Sequence, residues 1–214
     1  PVSVKGSFST VGLALKPGAV HALRGPDLAS INDRVLGYSQ LGWDEAALMA
    51  LFDPAGSVED WMDTLEDCME RLIERAGGRE PHPLSTAFNR LAFENPSIAV
   101  AECANQLDVD LRKLERLVKR DFGLSPKRTL RRARALDMAA HLRGVADQDE
   151  AEALALRYFD QSHLNREFTE LFGMTPVQFV RTPQPLMTIT LEARQARRLE
   201  ALERLEEGAR RPWQ

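Results

Sequence analysis

The feature that most constrains the fold is an internal repeat of 13 residues, displaced by 50 residues along the chain. "LERLVKRDFGLSP" runs from Leu114 to Pro126, and "LNREFTELFGMTP" runs from Leu164 to Pro176. The copies agree at positions that set helix ends and helix packing: Leu114 with Leu164, Arg116 with Arg166, Phe122 with Phe172, Gly123 with Gly173, Ser125 with Thr175, and Pro126 with Pro176. A repeat of this kind indicates two copies of one supersecondary unit.

Each copy carries the start and stop signals of a helix. Asp110 and Asp160 suit the N-cap of the helix that follows, and Gly123 and Gly173 suit the left-handed position that ends it. A hydroxyl residue and a proline then open the next helix. Apolar residues lie on one face of each repeated helix: Leu111, Leu114, Val118 and Phe122 in the first, and Leu164, Phe168, Leu171 and Phe172 in the second. With short apolar helices predicted before them, over 99–107 and 149–158, each copy reads as a helix-turn-helix.

The segment between the copies, 125–142, is predicted to be one helix. Its roughly 17 residues span about 25 Å at 1.5 Å per residue. That length suits two reading helices placed about one turn of DNA apart, roughly 34 Å. The predicted fold class is therefore mainly α, with a seven-helix-type domain over residues 84–182 in which a linker helix joins two helix-turn-helix units.

The flanking regions are predicted to be different in kind. Residues 1–80 form a smaller region, with a strand over 7–15, a turn at "KPG" (16–18), and amphipathic helices over 44–52 and 57–78. Gly77-Gly78 and the prolines up to residue 83 mark a boundary. Residues 183–214 form a tail with a charged amphipathic helix over 188–211. This tail dimerises, contacts a partner or packs back on the domain.

Charge is distributed unevenly along a chain whose formal net charge is −4. Residues 111–143 contain 11 basic and 3 acidic residues, whereas residues 147–170 contain 2 basic and 7 acidic ones. A local basic stripe binds phosphate even on an acidic molecule. We therefore expect an unequal pair, in which the first unit supplies most of the affinity for DNA.

Other classes of protein find little support. No run of 18 apolar residues predicts a membrane span, and no cluster of His and Cys has metal-ligand spacing. Cys68 and Cys103 lie on apolar positions of helical patterns and are predicted to be buried thiols in a reducing compartment, with a functional thiol as the alternative. We expect a cytoplasmic protein without cofactor, metal or enzymatic activity.

Residues 85–182 resemble the DNA-binding domain of the AraC/XylS family of bacterial transcription regulators. "DQSHLNREFTELFGMTPVQF" is similar to the family signature, and "LRKLERLVKRDFGLSPKRTLRRARALDMA" is similar to its first recognition helix and linker helix. The resemblance implies double-stranded DNA as a partner, and also a small-molecule effector, RNA polymerase and a second copy of the chain. The family has glycine where this chain has Tyr158, which implies a strained or altered turn there. "VGLALKPGAVHALRG" (11–25) resembles the end of a cupin-like sensor domain. This resemblance implies that the chain lacks most of the strands of such a domain.

By position in the family motif, the expected base readers are Arg112, Glu115 and Arg116 on the first helix and Gln161, Ser162, Asn165 and Arg166 on the second. Arginine holds guanine through two hydrogen bonds, and glutamate accepts from cytosine. The expected phosphate contacts are Lys113, Lys119, Arg120, Lys127 and Arg131. The linker helix carries five further candidates, and about half of them are expected to face DNA. These are Lys127, Arg128, Arg131, Arg132 and Arg134.

Three alternatives remain open from the residues alone. In the first, the charged face of the first helix is merely solvated. In the second, Arg166 pairs with Glu170 at i+4 instead of reading a base. The third alternative concerns the whole chain: a small-molecule-binding or enzymatic domain whose helical part is a protein-interaction module.

Overall fold

The computed structural model describes residues 10–41, 44–146 and 161–201, and leaves out the side chains of 40, 41, 161–164 and 201. This part of the chain is mainly α-helical, as predicted. It divides into two compact units, one within Pro1–Ser85 and Leu117–Gly123, the other within Thr86–Arg116 and Leu124–Gln214. The domain boundaries of 1–80, 84–182 and 183–214 stay predictions.

The described residues form a series of helices. In chain order they are α1 (Ala19–Ala22), α2 (Leu28–Ile31), a 3₁₀ helix (Tyr38–Leu41), α3 (Glu45–Met49), α4 (Val58–Arg75), α5 (Pro83–Glu94), α6 (Val100–Gln106), α7 (Leu111–Phe122), α8 (Pro126–Leu142), α9 (Gln161–Phe172), α10 (Pro176–Arg181) and α11 (Pro185–Ala201). Helix α4 of the first unit begins at Val58, after the predicted N-cap Ser57. The Ser57 hydroxyl accepts from the Asp60 N–H while the Asp60 carboxylate accepts from the Ser57 N–H.

The strand predicted over 7–15 is wrong for residues 10–15, and with it the partly β, cupin-like character of the N-terminal region. Residues 10–16 belong to no helix or strand, and the described residues contain no strand with which they pair. An extended segment needs a neighbouring strand to satisfy its backbone N–H and C=O groups. The turn at 16–18 does form, with Gly18 at φ 86° before α1.

The repeat is the strongest correspondence between sequence and structure. Helices α7 and α9 each have 12 residues and begin 50 residues apart. Gly123 and Gly173 end them with φ of 70° and 67°, the left-handed region that glycine enters without steric cost. Asp110 caps α7 by accepting from the Lys113 N–H at 2.8 Å. The helix predicted over 149–158, the cap Asp160 and the turn residue Tyr158 lie outside the described residues.

The next helix of each copy also starts as predicted. The Ser125 hydroxyl accepts from the Arg128 N–H before α8, and Thr175 forms a capping box with Gln178 before α10. Proline follows each cap at the first helical position, where a missing N–H costs nothing. Both predicted helix-turn-helix copies therefore have the expected second turn.

The apolar core of the second unit is formed by α8, α9, α10 and α11. Phe168 and Phe179 are fully buried, and their ring centroids lie 5.3 Å apart in an edge-on arrangement. Leu191 of α11 belongs to the same core. Arg194 and Arg198 of α11 form ion pairs with the buried Asp137 of α8 at 2.7 and 3.3 Å. For residues 185–201, the tail therefore packs back on the domain.

Both cysteines are buried and free, as predicted. Burial raises the pKa of the Cys103 thiol, which keeps it protonated and unreactive. Among the helices of residues 10–41, 44–146 and 161–201, none combines the length and the apolar character that crossing a membrane demands.

Candidate nucleic-acid interface

Helix α7 presents the predicted reading side chains to solvent. Arg112, Glu115 and Arg116 are all exposed, and so are Lys113 and Lys119. Their spacing of three and four residues brings Arg112, Arg116 and Lys119 onto one side of the helix. Leu114 and Val118 are fully buried on the other side. The alternation of buried leucine and exposed arginine is thus what aims the cationic row outward.

Arg120 has a different environment from the rest of that row. Its side chain is 37% exposed and donates two hydrogen bonds to Asp121, from Nε at 2.6 Å and from Nη2 at 2.8 Å. The Ser85 hydroxyl also donates to Asp121. Burial acts to raise the pKa of the Asp121 carboxyl, but the hydrogen bonds from Arg120 and Ser85 outweigh it, so the pKa is lowered. Asp121 therefore stays ionised and holds Arg120 in place.

Helix α9 carries the second predicted set. Asn165 and Arg166 are exposed, one turn into the helix, while Phe168 is fully buried. The backbone carbonyl of Asn165 accepts from the Thr169 hydroxyl at 2.7 Å. This bond does not involve the Asn165 side chain. Gln161 and Ser162 belong to the first turn of α9, where the side chains are outside the described residues.

The linker-helix cations divide into two groups. Lys127, Arg128 and Arg132 are exposed, whereas Arg131 and Arg134 are partly buried against α9. Arg131 donates from Nε to Glu167 at 3.0 Å and from Nη1 to Glu170 at 3.3 Å. The hydrogen bonds from Arg131 lower the pKa of the Glu170 carboxyl. The phosphate contact predicted for Arg131 therefore competes with ion pairs inside the protein.

Glu167 was not predicted to have any role. Its side chain is 8% exposed and accepts from Arg131 and, at 3.3 Å, from Arg134 Nη2. The one signal in the sequence is the repeat itself, since position 167 corresponds to Leu117, a buried leucine of α7. A carboxylate at a position that is apolar in the other copy indicates a partner elsewhere in the chain.

A shallow groove of about 600 Å³ opens in the first unit. Apolar atoms of Leu48, Leu51 and Leu72 form much of its lining, and its charged residues are Asp44, Arg71, Glu74 and Arg75. Within the described residues, no group of three or more His, Cys, Asp and Glu side chains is arranged to hold a metal ion.

One of the comparisons with known proteins gave a match. A family model described as a helix-turn-helix domain matches residues 103–182, which contain α7 to α10. Over residues 103–182 the chain is therefore similar to helix-turn-helix domains of the AraC type. Such a domain supports DNA-binding transcription regulation as the general function. Neither the curated proteins nor the solved structures gave a match.

Proposed function

We propose that this chain is a sequence-specific transcription regulator that inserts α7 and α9 into two successive major grooves of double-stranded DNA. The observation that carries this proposal is the repetition of one 12-residue helix at an offset of 50 residues, with equivalent stops at Gly123 and Gly173. An AraC-type helix-turn-helix domain spans both copies.

On α7, the exposed row supplies the chemistry of direct base reading. Arg112 and Arg116 each present a planar guanidinium that fits the O6 and N7 acceptors of guanine. Glu115 accepts from the N4 amino group of cytosine. Because all three side chains are exposed on one helix, they reach the base edges without rearrangement of the buried face.

On α9, the chemistry is weaker and more selective. The Asn165 amide matches the N6 and N7 edge of adenine, and Arg166 is the cation of this face. Gln161 and Ser162 complete the predicted set one turn earlier. The excess of acidic residues over 147–170 opposes DNA phosphates. We infer that α7 supplies most of the affinity and α9 refines the choice of site.

Phosphate contacts come mainly from the lysines of the predicted set. Lys113, Lys119 and Lys127 are exposed, and lysine binds phosphate as a point charge. Arg120 keeps donors beyond the two that Asp121 uses, because a guanidinium has five N–H groups. Arg131 contributes only where Glu170 releases it.

The linker helix supports the spacing of the two readers. The 17 residues of α8 give an axial length of about 25 Å. Two reading helices joined by such an element match neighbouring grooves on one side of the duplex, roughly 34 Å apart. The expected operator therefore has two parts, separated by about one helical turn.

The predicted effector has a candidate site in the groove of the first unit. Its lining combines an apolar floor with two arginines, Arg71 and Arg75, and two acids, Asp44 and Glu74, which suits a small molecule that has an apolar body and polar groups. RNA polymerase and a second copy of the chain stay predictions from the family resemblance.

In vitro selection of bound duplex from a random pool tests the proposed function. We expect a two-part consensus and an affinity that falls steeply between 50 and 200 mM salt, because phosphate binding releases counterions. The absence of any binding to duplex DNA at low salt would refute the regulator and favour the protein-interaction alternative.

A further inference from the structure

A buried carboxylate holds the second reading helix. Glu167 of α9 accepts hydrogen bonds from two arginines of α8, from Arg131 Nε at 3.0 Å and from Arg134 Nη2 at 3.3 Å. Arg134 also donates from Nη1 to the Pro96 carbonyl at 2.9 Å, in the turn between α5 and α6. Glu167 is thus tied to α8 directly and to that turn through Arg134.

This arrangement differs from that of the first copy. The equivalent residue of α7 is Leu117, which is 6% exposed. A buried carboxylate is costly unless its charge is paired. A buried leucine stabilises a contact between helices, but it does not require one particular orientation of the helix. Hydrogen bonds to guanidinium groups are directional. The second copy therefore has a contact that specifies orientation where the first has a contact that only buries surface.

The contact also lies where it controls the rotation of α9 about its axis. Successive residues of an α-helix are about 100° apart. Viewed from Phe168, which is fully buried, Glu167 lies on one side and Asn165 on the other. The aromatic cluster holds the helix on its buried face, with Phe168 and Phe172 stacked at 4.4 Å. The carboxylate holds it on a second side, away from the reading face.

We propose that Glu167 is the positioning residue of the second reading helix, and that its ion pairs with Arg131 and Arg134 set the base preference of α9. This inference rests on the proposed function, because it requires α9 to read bases. Glu167 touches no base. It sets the angle at which Asn165 and Arg166 meet the groove, and a guanidinium or amide reads a base edge only within a narrow range of angles.

The test compares operators selected in vitro by the full chain and by four variants. Glu167→Leu introduces the residue that the first copy has at this position. Glu167→Gln keeps the shape and one acceptor oxygen. Glu170→Gln changes the other partner of Arg131, a glutamate whose side chain is 65% exposed. Asn165→Ala identifies the half of the operator that α9 reads. Thermal unfolding followed by circular dichroism checks that each variant is folded.

We expect Glu167→Leu to lose about tenfold or more of the base discrimination in the α9 half and to keep the preference in the α7 half. The salt slope should not decrease, because no phosphate contact is removed. Glu167→Gln should lose less in the same half, and Glu170→Gln should keep both preferences. If folded Glu167→Leu and Glu167→Gln keep the native preference in both halves, the proposal is wrong. A parent chain that selects no two-part site would instead refute the proposed function itself.

Discussion

Asp121 accepts two hydrogen bonds from Arg120, its neighbour in sequence, while its own side chain is fully buried. Ser85 donates to the same carboxylate. A buried carboxylate with three donors costs little to ionise, and its charge prevents the Arg120 guanidinium from turning freely. The end of α7 is therefore braced by a polar contact in addition to its apolar face.

The first prediction concerns the pH dependence of stability. The pKa of Asp121 is lower in the folded protein than in the unfolded chain, where it is about 3.9. Its ionised form therefore stabilises the fold above about pH 4, and this contribution is lost as the pH falls through the folded pKa. Asp121→Asn should cost about 2 kcal/mol at pH 7. It should also flatten the decrease in the free energy of unfolding between pH 5 and pH 2, measured by urea denaturation.

Glu94→Gln is a suitable control, because that carboxylate lies on the surface beside Arg90 at i−4. A surface pair of this kind contributes about 0.5 kcal/mol or less. Equal pH profiles for the parent chain and Asp121→Asn would show that Asp121 is not the group responsible for acid sensitivity.

The second prediction separates base reading from phosphate binding on α7. Arg116→Ala should cost roughly 1–3 kcal/mol for the specific operator and relax the base preference at one position. Lys119→Ala should weaken all sequences alike and reduce the salt slope by about 0.9 for one lost phosphate contact. Fluorescence anisotropy with operator and random duplexes at several salt concentrations measures both effects.

Arg116→Lys gives the matched control for charge. Lysine keeps the cation but not the planar pair of donors, so base preference should fall while the salt slope stays close to that of the parent chain. Unchanged operator binding by Arg116→Ala would mean that α7 has been assigned wrongly.

The parts of the fold that could be predicted from sequence are those set by short-range chemistry. Ser125-Pro126, Thr175-Pro176 and the two glycines determine helix ends through contacts within a few residues. Their effect does not depend on the rest of the chain. The strand predicted over 7–15 is wrong for residues 10–15 for the opposite reason, since a strand exists only when another strand pairs with it.

The candidate site was predictable in its exposed residues but not in its supports. The period of α7 shows which arginines face outward. It does not show that Arg131 and Arg134 turn to Glu167, more than 30 residues away. Every basic residue of 111–143 contributes equally to a charge count, whereas in the structure Arg120, Arg131 and Arg134 are engaged by carboxylates. Only tertiary packing distinguishes a phosphate ligand from an internal brace.

The third prediction concerns the aromatic core beneath α9. Phe168 is fully buried and lies 4.4 Å from Phe172 and 5.3 Å from Phe179, measured between ring centroids. Phe168→Ala removes this contact and leaves a cavity, so it should cost about 3–5 kcal/mol of unfolding free energy in urea denaturation. Val177→Ala, at a residue 59% exposed, should change stability by less than about 0.5 kcal/mol. Similar losses for both variants would contradict the assigned core.

The last prediction uses the repeat as its own control. Gly123 and Gly173 occupy equivalent turns with φ of 70° and 67°, so alanine at either position has the same left-handed strain, about 1 kcal/mol. A Cβ at Gly123 would also lie 2.8 Å from the Leu28 carbonyl oxygen, whereas at Gly173 it meets nothing within 4 Å. Gly123→Ala should therefore cost at least about 1 kcal/mol more than Gly173→Ala in urea denaturation, because a backbone group has to move. Equal costs would mean that Leu28 does not pack against this turn.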